Sequence, residues 1–120
     1  MARILFVDDD LFTLDTYSTI MTFFGHESLT ADTGLRAIEI ACEQQPDFIV
    51  VDMNLPDLHG FDLLRRLSNN PATARIPAVM VSASPEAIGK GATQAGAKAF
   101  LSKPLRPEEL LAIIEQYTTA

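Results

Sequence analysis

Three consecutive carboxylates, Asp8-Asp9-Asp10, follow the apolar run Ile4–Val7 without a break. A fourth, Asp52, stands directly after Phe48-Ile49-Val50-Val51. Ser82 closes the run Ala78–Val81, and Lys103, with Pro104 behind it, comes just after the weaker run Ala99–Leu101. Brought together, these groups would form a pocket of acids, one hydroxyl and one ammonium. Two carboxylates about 4 Å apart repel by roughly 4 kcal/mol at an effective dielectric near 20. Such a cluster needs a cation, a proton or the Lys103 ammonium to be tolerable. Ligands that are all oxygen, with no histidine or cysteine among them, favour a hard ion such as Mg²⁺.

The elements that carry these residues decide whether they meet. Ile4–Val7, Phe48–Val51, Ala78–Val81 and Ala99–Leu101 are rich in apolar residues and do not alternate, which marks strands buried on both faces. Glu27–Ala31 alternates and reads as an edge strand. Helical spacing joins Leu11, Leu14, Tyr17, Met21 and Phe24, with Gly25 as the stop. A second helix carries Ala37, Ile38, Ala41 and Cys42 before Pro46. A third carries Phe61, Leu64 and Leu67 and ends at Asn69-Asn70-Pro71. The last carries Leu110, Ile113, Ile114 and Tyr117, opened by Arg106-Pro107-Glu108-Glu109. Pro85–Ala95 supplies the fourth helix and is expected to be the least stable, because Gly89 and Gly91 each cost about 0.8–1 kcal/mol relative to Ala. Strand and helix alternate throughout, which predicts a parallel sheet with right-handed crossovers and helices on both faces. The carboxyl ends of such strands converge on one rim, where ligands bind. The polar residues named above all fall there.

At 120 residues the chain fits one domain, residues 1–120, and its 48% apolar content suffices for a packed core. A single cysteine, Cys42, excludes an internal disulfide framework. No apolar run is long enough to span a bilayer, and Met1-Ala2-Arg3 runs straight into a strand, leaving no room for a signal peptide. A cytoplasmic protein is the expectation. The net charge is −7, and residues 1–62 hold twelve acids against only Arg3 and Arg36. With no basic stripe, direct nucleic-acid binding is not expected.

Val7-Asp8-Asp9-Asp10, Val51-Asp52-Met53-Asn54-Leu55-Pro56, Gly60, Val81-Ser82-Ala83 and Ser102-Lys103-Pro104 together resemble the receiver domain of two-component response regulators. The resemblance runs from residue 3 to about residue 117. It implies a flavodoxin-like, doubly wound, three-layer α/β sandwich: a five-stranded parallel sheet in order 2-1-3-4-5 with five helices. It also implies a phosphorylation-dependent signalling switch that catalyses its own phosphorylation and dephosphorylation. Asp52 would accept a phosphoryl group from the phosphohistidine of a histidine kinase or phosphotransfer protein. Asp8, Asp9, Asp52 and the backbone carbonyl of Asn54 would hold Mg²⁺, while Ser82 and Lys103 would bind phosphoryl oxygens. Ser82 and Phe100 would form the switch, the Lys103–Pro104 peptide would be cis, and an effector protein would read helix four, strand five and helix five. The chain departs from the common pattern in having Ser82 for threonine and Phe100 for tyrosine. Lys98-Ala99 also stands where members that dimerise through that surface often carry acids.

Competing readings are a receiver-like interaction module that is never phosphorylated, a receiver cut from a larger hybrid kinase or regulator, and a metal-dependent phosphohydrolase with an Asp nucleophile. The first would lack one of the key residues, and the last would repeat the acid two residues after Asp52, where Asn54 stands. Asp10 is read as the N-cap of helix one. Asp57 and Asp62 are read as solvated loop and helix-start acids, His59 as an exposed loop residue and His26 as a turn residue. Cys42 is read as a small core residue, and Arg65 and Arg66 as a solvated helix face.

Overall fold

The computed structural model describes residues 1–83 and 91–118. Its strands are β1 (Arg3–Val7), β2 (Glu27–Ala31), β3 (Phe48–Asp52), β4 (Ala78–Ser82) and β5 (Ala99–Ser102). The helices are α1 (Leu11–Phe23), α2 (Gly34–Gln44), α3 (Gly60–Asn69), α4, described over residues 91–95, and α5 (Pro107–Thr118). The start of the predicted fourth helix, from Pro85 through Lys90, lies outside the described residues. All strand pairs are parallel, in the order β2-β1-β3-β4-β5, and β2 is the edge strand its alternation predicts.

Continuous apolar runs make this a three-layer fold because side chains along a strand alternate between faces. Leu5, Val7, Ile49, Val51 and Met80 point to one side, where α2, α3 and α4 cover them with Ala37, Ala41, Leu63, Leu64, Leu67, Ala92 and Ala95. Ile4, Phe6, Phe48, Val50, Val79 and Val81 point to the other, under Leu14, Tyr17 and Met21 of α1 and Leu110 and Ile114 of α5. Phe6 stacks on Tyr17 with ring centroids 4.7 Å apart.

Helix ends follow local chemistry. Asp10 caps α1, its carboxylate accepting from the Phe12 N–H and the Thr13 hydroxyl at 3.0 Å each. Gly25, at φ +79°, ends the turn after α1. The predicted apolar face of α1 is shorter than its spacing suggests: Leu11 and Phe24 are exposed, and only Leu14, Tyr17 and Met21 are buried. Cys42 is half-buried rather than in the core, and the Asn70 amide approaches its sulfur at 3.5 Å. No described helix is long and apolar enough to cross a membrane.

Candidate functional site

The strand order reverses between β1 and β3: the chain runs from β1 to β2 on one side, then returns to place β3 on the other. The crevice outside the carboxyl ends at that reversal is where ligands bind in open parallel sheets. Asp8 leaves β1 and Asp52 ends β3 at this point, in a register that pairs Val7 with Val51 and Asp52 with Val81. Asp8, Asp52 and Ser82 are the carboxylates and hydroxyl the sequence assigns to the rim, and they are buried to 3%, 8% and 5% residual exposure.

Lys103 joins them from the loop after β5. Its Nζ lies 2.7 Å from Asp52 Oδ1 and 3.3 Å from Asp8 Oδ2. The Lys103 N–H donates to the Ser82 carbonyl at 2.9 Å, extending the β4–β5 ladder by one residue, and the Lys103–Pro104 peptide is cis. Asp8 Oδ1 accepts from the Asp10 N–H at 3.0 Å, so the first carboxylate of the triplet is fixed by the backbone of the third. Burial pushes the Asp8 carboxyl above its ordinary range, with the Asp52 charge adding to it, while the Asp10 N–H and Lys103 oppose. For Lys103, burial works against the charge. The hydrogen bond and charge of Asp52, then those of Asp8, outweigh it and hold the ammonium above the ordinary lysine range.

Asp9 stays exposed, yet one carboxylate oxygen from each of Asp8, Asp9 and Asp52 lies within 4.8 Å of the others. Three carboxylates against one ammonium leave the pocket with excess negative charge. An oxygen-only donor set with that excess suits a hard divalent cation. The fit to Mg²⁺ is therefore good in ligand type and in charge.

The remaining candidates are spread around this centre. Asn54 sits two residues past Asp52 on an exposed loop, where its backbone bridges to His59. Phe100, on the edge strand β5, lies opposite Met80 in register and is 37% exposed. His59 is exposed as expected but also caps α3, its Nδ1 accepting from the Phe61 N–H at 3.1 Å. Asp62 pairs with Arg65 at 3.1 Å on the surface of α3. Asp57 departs from the sequence reading. It is not merely a solvated loop acid, because its two carboxylate oxygens accept from the Gly34 and Leu35 N–H groups at 2.8 and 2.9 Å. The Leu35 N–H first, then that of Gly34, hold its carboxyl below the ordinary aspartate range. No local signal in the sequence marks this role, since the partners lie 23 and 22 residues away.

The strand order and the charged rim at the switch point define a doubly wound, flavodoxin-like α/β domain. The comparison with protein families narrows this. Residues 4–115 match the response regulator receiver domain, and the chain belongs to that family. Among curated relatives, Protein PilH of Pseudomonas aeruginosa is 34% identical over 95% of both chains. The phosphate regulon transcriptional regulatory protein PhoB of the same species is 33% identical, but the chain spans only 48% of its length. Among solved structures, the chemotaxis response regulator CheY4 of Vibrio cholerae aligns with a TM-score of 0.89 at 29% identity, covering 98% of each chain. The receiver domain of a sensor histidine kinase from Pseudomonas aeruginosa, solved with a magnesium ion coordinated in its active site cleft, shares the fold. Its TM-score is 0.90 at 24% identity, covering 99% of this chain and 98% of that one.

Proposed function

We propose that this receiver domain is a phosphorylation-controlled switch in which Asp52 takes a phosphoryl group from the phosphohistidine of a kinase or phosphotransfer protein. The observation that carries the reading is the pairing of a buried Asp52 with Lys103 at 2.7 Å inside a cluster that also holds Asp8 and Asp9. Asp8, Asp9, Asp52 and the Asn54 carbonyl would hold Mg²⁺, which would offset charge shared between acceptor and phosphoryl oxygens. A carboxylate oxygen of Asp52 forms the new O–P bond as the P–N bond to the donor imidazole breaks, the electron pair leaving on that nitrogen. Lys103, already aimed into the pocket, then binds a phosphoryl oxygen as a point charge. Ser82, buried at the adjacent strand end, supplies a hydroxyl donor. The rim beside the site exposes Leu11 and Phe12, the latter at 81%, which gives a donor protein apolar surface to press against. Intact-mass measurement after incubation with acetyl phosphate and Mg²⁺ tests the assignment. The wild type is expected to gain one phosphoryl group and Asp52→Asn none; equal gain in both would move the acceptor elsewhere.

The output follows from what phosphorylation adds: roughly one further negative charge and new acceptor oxygens at Asp52. Ser82 moves toward one of those oxygens and vacates space, and Phe100 is the side chain placed to fill it. A partner that prefers the inward ring then binds the phosphorylated form more tightly, and its binding favours phosphorylation in return. Hydrogen exchange with and without beryllofluoride is expected to change at Ser82, over 91–95 and over 99–105. Changes confined to the neighbourhood of Asp52 would mean that the output comes from another face.

A further inference from the structure

The segment between β3 and α3 carries Asn54 and has to be held still for its backbone to serve a cation, yet most of it is exposed. Its internal bonds are few: the Gly60 N–H donates to the Met53 carbonyl at 2.8 Å, and Asn54 bridges to His59. It is fastened from outside at its start, where the Met53 N–H donates to the Val81 carbonyl of β4 at 3.3 Å, and at its far end by α2. Asp57 receives the first two N–H groups of that helix in a two-pronged contact at 2.8 and 2.9 Å. Thr33 takes the next two, its hydroxyl accepting from Arg36 and its carbonyl from Ala37, both at 3.1 Å. Ala37's bond is the first of the helix itself, and the N–H groups of Gly34, Leu35 and Arg36, which the helix start leaves without internal partners, are thus satisfied, two of the three by a residue from another loop. Beside this contact Leu58 fills the space over Gly34 so closely that a Cβ there would lie 2.8 Å from Leu58 Cδ1. The helix is itself fixed to the sheet by Ala37 and Ala41, neither of which is exposed.

We propose that Asp57 is a positioning residue, fastening the β3–α3 loop to the N-terminus of α2 and thereby setting the cation affinity of the Asp8–Asp9–Asp52 cluster. The inference rests on the cation reading above and adds a residue that touches neither ion nor phosphoryl group. With the anchor present the loop is ordered before an ion arrives. Without it, the ordering is charged to binding, and the apparent affinity falls by the fraction of molecules that hold the loop in place.

The test is a titration with Mg²⁺ alone, followed by amide chemical shifts, on four proteins: wild type, Asp57→Ala, Asp57→Asn and Thr33→Ala. Asp57→Ala is expected to weaken Mg²⁺ about three- to tenfold. Asp57→Asn keeps one accepting oxygen and falls between it and the wild type. Thr33→Ala removes a bond at the same helix end without touching the loop, so it lowers the melting temperature and leaves Mg²⁺ affinity unchanged. Amide exchange at Gly60 without Mg²⁺ is expected to speed up in Asp57→Ala and not in Thr33→Ala. Equal Mg²⁺ affinity in Asp57→Ala and wild type would overturn the proposal, as would equal losses in Asp57→Ala and Thr33→Ala. Equal affinities for the Asn and Ala variants would also overturn it, because the effect would then be lost charge rather than a lost anchor. A wild type that takes up no Mg²⁺ would remove the cation reading itself; Gly60 exchange would then report the anchor alone, and the affinity claim would fall.

Discussion

Lys103→Met is expected to take phosphoryl groups from acetyl phosphate about a hundredfold more slowly than the wild type, and to melt about 5–10 °C lower. The rate follows from position. The ammonium lies 2.7 Å from the Asp52 oxygen in the unmodified protein, so it already stands beside the atom on which the new O–P bond would form. Losing one such preorganised donor typically costs two to three orders of magnitude. The stability effect has the same source. Lys103 is the one cation within 4 Å of either Asp8 or Asp52 among the described residues. Removing one partner of a buried ion pair costs about 3–5 kcal/mol when the other is left uncompensated. The lysine side chain is 33% exposed, and solvent screening reduces that figure to about 2 kcal/mol here. Lys103→Arg separates the two effects. It keeps the charge and is expected to recover most of the melting temperature, but its planar fork cannot reproduce a point charge between two carboxylates, so the rate stays low. A Met variant with the wild-type rate would remove Lys103 from the chemistry.

How far the sequence reaches depends on whether a feature is local. The strands were legible because both faces are covered, so Phe48–Val51 and Ala78–Val81 could afford no polar residue before Asp52 and Ser82. Their polar ends then stand out against apolar runs, and the site appears in the sequence as a set of punctuation marks. The Asp10 cap is likewise readable, since its partners Phe12 and Thr13 are two and three residues away. Contacts between distant segments left no such trace. Asp57 looks like any loop acid until α2 is placed beside it. Gln45, likewise, donates across to the Ala72 carbonyl at 2.8 Å, 27 residues on, from a left-handed backbone. Each depends on where a loop comes to rest, which spacing alone does not encode. The α1 face shows the converse: helical spacing extends the apolar stripe to Leu11 and Phe24, which stand at its two ends and are exposed.

Mg²⁺ is expected to raise the melting temperature of the wild type, and Asp9→Ala is expected to lose most of that rise while melting at or slightly above the wild type without the ion. Without a cation the pocket holds three carboxylates with oxygens within 4.8 Å and only one ammonium, so their repulsion is incompletely offset. An ion that binds only the folded chain stabilises it by mass action, about 2.7 kcal/mol at a hundredfold excess over its dissociation constant. Asp9 is the member to remove because it is exposed. Its loss leaves no buried partner unpaired, whereas truncating Asp8 would strip the Asp10 N–H of its acceptor. The two melting curves therefore cross: the variant gains from relieved repulsion without Mg²⁺ and lags the wild type when Mg²⁺ is present. Asp15→Ala, which removes another exposed acid from α1 outside the cluster, keeps the full rise and controls for net charge. An equal rise in Asp9→Ala and the wild type would place the ion somewhere other than this cluster. A rise lost equally in Asp9→Ala and Asp15→Ala would mean that Mg²⁺ answers the overall charge of the chain rather than a site.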